Sequence, residues 1–190
     1  MSKLIVNAKA PLFSGEDIYG KTHRFTFTEG WTFISFHRFA ACPFCNMRTH
    51  ELIKNFNRFK MNDIKIISLW PSSRKEMSKI SGNEEAPFPM LCDADMEIFK
   101  KYSVIDKSML GFVRLMLHPK IFMASMKHVT RHTKLNDNIK LMPANFLISP
   151  AGKLELVHYG KHFADHIELE DIFKTVNQNK RQYENSALAI

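Results

Sequence analysis

Apolar residues in the first half of the chain form two short continuous runs, separated by a stretch with helical spacing. Residues 32–36 and Ile64–Trp70 are rich in β-branched and aromatic side chains, so each run predicts a buried strand. Between them, apolar residues recur at the spacing of one helix face; these are Phe44, Met47, Leu52, Ile53, Phe56 and Phe59. The pattern predicts a strand, a helix and a second strand.

Capping signals refine the positions of these helices. Pro43 suits the first position of the first helix, where its missing N–H has no intrahelical partner, and this places Cys42 at the N-cap. After the second strand, Ser73 and Glu76 have the spacing of a capping box and predict a short helix. The order continues as strand, helix, strand, helix.

The second half of the chain changes from helix-linked strands to a hairpin. Residues 88–92 predict a short strand and residues 93–102 a helix, and the apolar runs 144–148 and 154–159 flank a Pro-Ala-Gly-Lys turn that suggests type II. Asp165 and Glu168 have capping-box spacing and predict the start of a last helix.

The order of these elements predicts an α/β fold whose central sheet mixes parallel and antiparallel strands and is flanked by helices. Because the sequence contains no evident linker or repeat, we expect a single domain over residues 1–178. We expect a helical insertion in it at about 104–140 and a C-terminal tail over 179–190.

Composition narrows the class of protein. The 190 residues are 45% hydrophobic and 24% charged, which is typical of a soluble globular chain. No apolar stretch approaches the roughly 20 residues that cross a bilayer, and no signal peptide is evident, so we expect no membrane span and a cytoplasmic location. Three cysteines are too few for a disulfide framework.

The net charge of +8 is concentrated in one region. Residues 100–140 hold nine Lys or Arg against Asp106 and Asp137. Because this region has neither an aromatic stacking platform nor a recognition-helix pattern, we do not expect a nucleic-acid partner.

Cys42 and Cys45 carry the clearest chemical signal in the chain. A Cys-x-x-Cys pair at the start of a helix can cycle between dithiol and disulfide. Unpaired N–H groups and the positive end of the helix dipole favour the thiolate at Cys42, which makes Cys42 the candidate nucleophile and Cys45 the resolving partner. Arg38, His37 and Arg48 are near in sequence, and the sequence does not show which of them faces the sulfur.

The cysteines allow two other interpretations. A zinc site would need Cys92 with His37 or His50, and the chain has no second Cys-x-x-Cys to complete it. A purely structural, reduced pair is the other alternative. Cys92 itself ends a predicted strand, which favours an inert packing role over that of a remote resolving thiol.

A series of short motifs resembles a known family. They are Ala10-Pro11-x-Phe13, Asp17-x-x-Gly20, the strand leading into Cys42, Phe88 to Asp95 with Tyr102-Ser103-Val104, and Phe146 to Gly152. In this order they resemble the landmarks of the peroxiredoxin-like proteins of the alkyl hydroperoxide reductase and thiol-specific antioxidant group. The resemblance spans about residues 8–175 and leaves 105–140 uncovered. It implies a thioredoxin-like fold with a redox cysteine at the first helix after a central strand.

The resemblance also implies roles for residues away from the cysteines. Met142-Pro143 stands where this fold places a cis-proline opposite the active-site cysteines, which would leave the backbone of Met142 free to pair with a substrate chain. We therefore expect Met142 and Pro143 to position the substrate. Arg38 and Pro43, which are near Cys42 in the sequence, are expected to activate the thiol or position the substrate.

The chain departs from the family pattern at one point. Peroxiredoxins of this group carry Pro-x-x-x-Thr/Ser-x-x-Cys. If Cys42 is the cysteine of this motif, Ser35 stands in place of the proline and Phe39 in place of the Thr or Ser. If Cys45 is the cysteine, the two positions hold Arg38 and Cys42. Cys-Pro-x-Cys instead resembles the motif of thiol–disulfide oxidoreductases, so both a peroxide and a disulfide remain candidate substrates.

The sequence therefore predicts a thiol-dependent oxidoreductase. The Cys42 thiolate attacks a peroxide oxygen or an oxidised sulfur, Cys45 closes on Cys42, and an external dithiol of the thioredoxin or glutathione type restores the pair. This cycle requires no cofactor, and seven glycines offer no phosphate-binding loop.

The insertion supports an alternative. Met109, Met116 and Met123 recur every seven residues among basic side chains, and Pro119 excludes one unbroken helix. Such a surface either packs on its own domain or docks a second subunit to form a homodimer. The alternative function is a non-catalytic adaptor that binds an acidic partner or a membrane surface through this basic, Met-rich segment.

Overall fold

A seven-stranded mixed sheet forms the centre of the structure, a computed structural model that describes residues 2–27, 30–79, 86–108, 110–128 and 140–188. The strands are β1 Phe13–Asp17, β2 Thr22–Phe25, β3 Trp31–Phe36, β4 Ile64–Trp70, β5 Met90–Cys92, β6 Ala144–Ile148 and β7 Leu154–Tyr159. Their order across the sheet is β2-β1-β5-β4-β3-β6-β7. β3 and β4 pair in parallel, whereas β6 pairs antiparallel with both β3 and β7. The mixed α/β sheet predicted from the sequence is confirmed.

Helices cover both faces of this sheet. They are α1 Pro43–Lys54, α2 Phe56–Met61, α3 Arg74–Met77, α4 Glu97–Lys101, α5 Leu110–Met116, α6 Pro119–Ser125 and α7 Leu169–Leu188. All six residues of β3 are buried, and successive side chains supply opposite cores because a strand alternates its faces. Phe33 packs with Phe59 of α2 on one face, and Phe36 packs with Phe99 of α4 on the other. The central strand is thus fixed from both sides.

The predicted caps near the cysteines are confirmed. Pro43 is the first residue of α1 and Cys42 is its N-cap, with the Cys42 sulfur accepting a hydrogen bond from the Cys45 amide. At α3, the hydroxyl of Ser73 accepts from the Glu76 amide while the Glu76 carboxylate accepts from the Ser73 amide, which is the predicted capping box.

Two predicted features near the end of the chain were wrong. The Gly152 amide donates to Ser149 O, so Ala151 is the third residue of the hairpin turn, where a type II turn needs a positive φ. Ala151 has no positive φ, and the turn is therefore not type II. The left-handed φ of +78° belongs to Gly152, the last residue of the turn. Asp165 does not cap α7, because its carboxylate accepts hydrogen bonds from the Lys161 amide and the His158 ring. α7 begins instead at Leu169 and continues to Leu188, into the segment predicted as a tail.

The insertion packs on its own domain. α5 and α6 are separate helices, with Pro119 at the first position of α6, as its ring predicts. Leu115 is fully buried, and Ile121 and Phe122 pack against the core that contains Cys42. Met109 and residues 129–139 of the predicted insertion lie outside the described residues. No helix in the described part of the chain is long and apolar enough to cross a bilayer.

Gly160 provides a test of how tightly the loop after β7 is held. A Cβ at this position would lie 2.8 Å from Asp165 O and 3.0 Å from Pro143 O, both backbone atoms that cannot move without disturbing two segments. Gly160→Ala is expected to lower the free energy of unfolding by about 1–3 kcal/mol, measured by denaturant titration. Gly15→Ala is the matched control, because its Cβ would meet side-chain atoms alone: the end of Ile98 at 3.2 Å and Leu91 at 3.5 Å or more. Equal effects of the two substitutions would contradict this packing.

Candidate active site

The cysteine pair lies at the end of β3, where the chain turns into α1. Cys42 has the extended backbone of an N-cap (φ −70°, ψ 116°), and Cys45 follows in the first turn of the helix. The Cys45 amide donates to Cys42 Sγ at 3.4 Å, which uses one of the unpaired N–H groups of the helix start. Both side chains are fully buried and both thiols are free.

Arg38 is the cation that faces the Cys42 sulfur. Its Nη1 donates to Cys42 Sγ at 3.2 Å, and its backbone amide donates to Cys45 Sγ at 3.3 Å. Its Nε donates to Leu141 O at 2.7 Å, and its guanidinium carbon lies 3.5 Å from the centroid of the Phe163 ring. These contacts hold a buried guanidinium in one orientation, aimed at the sulfur.

The two thiols have pKa values shifted in opposite directions. Burial raises the pKa of Cys42, but the hydrogen bond from the Cys45 thiol, the charge of Arg38 and two further hydrogen bonds outweigh it and lower the pKa to about 6. Burial raises the pKa of Cys45, and its thiol-to-thiolate hydrogen bond to Cys42 and the charge there raise it further. The reduced site therefore combines a thiolate at Cys42 with a protonated thiol at Cys45.

His37 and Arg48 take other positions. The His37 ring stacks on Trp70 at a centroid distance of 4.1 Å, and neither of its nitrogens has a hydrogen-bond partner among the described residues. Burial, with the charge of Arg48, lowers the pKa of His37 to about 3, so this ring is neutral. Arg48 donates to Glu51 and to Ile167 O. Of the three basic candidates, Arg38 is the one whose side chain bonds to Cys42.

The expected cis peptide at Met142-Pro143 was wrong. All peptide bonds in the described part of the chain are trans. The backbone around this proline is already paired within the protein, since the Met142 amide donates to Asp106 O at 3.1 Å and Pro143 O accepts from the Gly160 amide at 2.8 Å. The N–H of Met142 is therefore not free for a substrate chain. Met142 nevertheless packs in the same core as the two cysteines.

Cys92 is placed as an inert thiol would be. It ends β5 and is partly buried. Burial raises the pKa of Cys92 to about 11, so it stays protonated at neutral pH. In the described part of the chain, no three His, Cys, Asp or Glu side chains converge as metal ligands would.

Comparison with known proteins identifies the family. A family model described as AhpC/TSA family matches residues 6–157. This chain belongs to the AhpC/TSA family. It is also similar to a curated peroxiredoxin of Aquifex aeolicus (strain VF5), with 29% identity over 108 residues, 50% of this chain and 46% of that protein. The match thus spans about half the length of that relative.

Solved structures agree on the fold of this AhpC/TSA family member. A yeast mitochondrial 1-Cys peroxiredoxin superposes with a TM-score of 0.70 at 15% identity, covering 95% of this chain and 78% of the other. The reduced 2-Cys peroxiredoxin of Plasmodium vivax gives 0.66 at 14% identity, covering 94% and 83%. These likenesses confirm the thioredoxin-like fold.

Two groups of the site were missed in the sequence. Leu141 O and the Phe163 ring both hold Arg38, although they lie 103 and 125 positions further along the chain. No local pattern marks a backbone carbonyl as a ligand, and an aromatic residue in a loop has no distinctive spacing. One signal in the sequence did point to Arg38. When the AhpC/TSA pattern is counted back from Cys45, Arg38 stands at the position of the family's proline, and this departure marks it as unusual.

Proposed function

We propose that this chain is a thiol-dependent peroxidase of the AhpC/TSA family, with Cys42 as the nucleophile and Cys45 as the resolving thiol. The observation that carries the proposal is the hydrogen bond of 3.2 Å from Arg38 Nη1 to Cys42 Sγ. A fixed guanidinium stabilises the thiolate, which is the form of cysteine that attacks. Family membership supports the same class of reaction.

The first step is attack of the Cys42 thiolate on the distal oxygen of a hydroperoxide. The S–O bond forms as the O–O bond breaks, leaving a sulfenic acid and an alkoxide that takes up a proton from solvent. Cys42 is oxidised and the peroxide is reduced.

The second step closes the pair. The Cys45 sulfur displaces hydroxide from the sulfenic acid, the Cys45 proton leaves with it, and the products are a Cys42–Cys45 disulfide and water. Cys45 begins this step from within the first turn of α1, with its thiol hydrogen-bonded to Cys42. An external dithiol of the thioredoxin or glutathione type then reduces the disulfide by exchange. We place this cycle in the cytoplasm, because three cysteines form no structural disulfide framework.

Burial favours a peroxide over a protein disulfide as oxidant. The side chains of Cys42 and Cys45 are fully buried, so any substrate needs the site to open, and a small hydroperoxide needs the smaller opening. Thiol–disulfide exchange remains the second candidate because the Cys-Pro-Phe-Cys spacing suits it. In either reaction we assign positioning roles to Pro43, which starts α1, and to Met142, which packs in the same core as both cysteines. Pro143 is given the same role because it follows Leu141, whose carbonyl oxygen accepts a hydrogen bond from Arg38, by two positions.

Mass spectrometry of the reduced protein separates these candidates. Reduced protein is mixed with one equivalent of hydrogen peroxide or of a small aromatic disulfide, quenched with acid, and digested to follow the Cys42–Cys45 peptide. We expect rapid closure with peroxide. Closure with the disulfide alone would replace the peroxidase with a thiol–disulfide oxidoreductase. Closure with neither oxidant would leave the non-catalytic adaptor as the better account.

A further inference from the structure

The two helices of the insertion have an outer face that the proposed function does not use. Their inner residues are covered, since Leu115 and Ser125 have no exposed area. On the outside lies a set of large apolar side chains, here called the insertion face; these are Leu110, Val113, Met116, Leu117, Met123 and Met126. Their exposed fractions run from 53% for Met126 to 77% for Leu117.

This concentration of apolar surface is unusual for the molecule. Twelve large hydrophobic side chains are exposed in the described part of the chain, and six of them belong to the insertion face. Single exposed apolar residues are normal on soluble proteins, whereas larger exposed apolar patches mark interaction surfaces, and these six lie within residues 110–126. Packing of the inner side explains why the helices form, but it does not explain why their outer side is apolar.

Charge around the insertion face limits what can cover it. In the described residues 107–108 and 110–128 there are four Lys or Arg and no Asp or Glu. Lys120 and Lys127 are exposed and border the apolar side chains. A second copy of this chain docked face to face would bring like charges together, which costs free energy. An anionic surface complements both the apolar centre and the basic border.

We propose that the insertion face docks on the surface of an anionic lipid bilayer. Short amphipathic helices with a Lys- and Arg-bordered apolar side lie in the interface of such membranes. Leu117, the most exposed member of the insertion face, lies in the turn between α5 and α6, where its side chain is available for insertion into a lipid headgroup layer. Unbranched methionines adapt to a disordered surface.

Docking would also orient the cysteine pair. A Cβ on Gly111 of α5 would lie 2.8 Å from both Met142 Sδ and the Phe163 ring, so α5 packs directly on the residues around Arg38. The insertion thus lies between the bilayer and the thiols. The docking proposal does not depend on the proposed function, because it rests on the outer side of these helices alone.

Vesicle sedimentation tests the proposal. The full chain is mixed at low ionic strength with vesicles of phosphatidylcholine alone or with phosphatidylglycerol added. We expect sedimentation with the anionic vesicles and little with the neutral ones. The double variant Lys120→Gln/Lys127→Gln should lower the partition coefficient about 25-fold, since each cation near an anionic surface contributes a factor of about five. Leu117→Asn/Met123→Asn should lower it by a similar factor.

Matched controls come from another face of the molecule. Lys60→Gln/Lys65→Gln removes the same charge from exposed positions outside the insertion, and Met61→Gln alters a methionine that is 85% exposed. Both controls should sediment like the unaltered protein, and circular dichroism should be unchanged for every variant.

Three results would overturn the proposal. The first is no sedimentation with anionic vesicles, and the second is an equal loss in the control variants. The third is full binding by Leu117→Asn/Met123→Asn together with equal competition by soluble polyglutamate, which would show that charge alone acts and that an acidic protein is the better partner.

Discussion

Cys42→Ser is expected to abolish turnover with both peroxide and disulfide substrates, by at least about a thousandfold, because removal of a nucleophile leaves no covalent route. A serine hydroxyl in the same position stays protonated at neutral pH and is not oxidised by a peroxide. The measurement is consumption of peroxide or disulfide in the presence of an excess of a small dithiol. Since Cys42 caps α1 through Sγ, the serine hydroxyl preserves the cap.

Serine variants of the other two cysteines serve as controls for Cys42→Ser. Cys45→Ser keeps the attacking sulfur, so one equivalent of oxidant should be consumed and a sulfenic acid or mixed disulfide should accumulate at Cys42, detectable by mass. Cys92→Ser should retain full activity, because burial already keeps the Cys92 thiol protonated, with a pKa of about 11. If Cys42→Ser kept some turnover and the further replacement of Cys92 removed it, Cys92 would be the nucleophile and the assignment of Cys42 would be wrong.

Arg38→Met should slow the reaction at neutral pH, by up to about 30-fold. Without the guanidinium, burial is opposed only by the two hydrogen bonds from Cys45, so the pKa of Cys42 rises from about 6 toward the free-thiol value of about 8.5. At pH 7 a pKa restored to the free-thiol value lowers the thiolate fraction from about nine-tenths to a few per cent. Because the loss is one of ionisation, the difference from the unaltered protein should narrow as the pH rises through the new pKa.

The pH dependence distinguishes activation from a structural effect. Methionine approximates the length of the arginine stem and keeps contact with the Phe163 ring, while it loses the bonds to Cys42 Sγ and Leu141 O. Arg58→Met is the control, since Arg58 is half exposed and pairs with Glu170 away from the cysteines. A rate that drops equally at all pH values would mean that Arg38 supports the fold without setting the ionisation of Cys42.

Elements with strong local signals were predictable from the sequence. β4 spans the predicted run, and α1 begins at Pro43, because continuous apolar residues and a proline at the first helical position act locally. The β1–β2 hairpin was not predicted. β1 contains polar residues and Gly15, and its pairing with β5 joins segments about 75 positions apart, which no short window shows.

Helix α4 shows how tertiary hydrogen bonds override a plausible pattern. The predicted helix over 93–102 is shortened to Glu97–Lys101, because Met96 adopts a left-handed φ of 58°. The Asp93 carboxylate accepts from the amides of Glu97, Ile98 and Phe99, satisfying the helix start from outside it. Aspartate commonly caps a helix from the N-cap position, but Asp93 lies four positions before Glu97, the first residue of α4. The sequence did not show that the helix begins this far after the aspartate.

The candidate site was predictable in its chemistry and not in its electrostatics. Cys42 and Cys45 were identified by spacing, whereas the choice among Arg38, His37 and Arg48 needed the structure. His37 and Arg38 are adjacent at the end of β3 and point to different surroundings, one toward Trp70 and the other toward Leu141 O. The wrong expectation at Met142-Pro143 has a similar origin, since Asp106 O and Gly160 pair with that backbone from distant segments.

Titration of the thiolate in the reduced protein tests the central claim most directly. Ultraviolet absorbance reports thiolate without a reagent that must enter the buried site, and the difference between the unaltered protein and Cys42→Ser isolates one sulfur. The structure predicts that this sulfur ionises with an apparent pKa of about 6. Ionisation at or above about 8.5, the value of an unperturbed cysteine, would contradict the account.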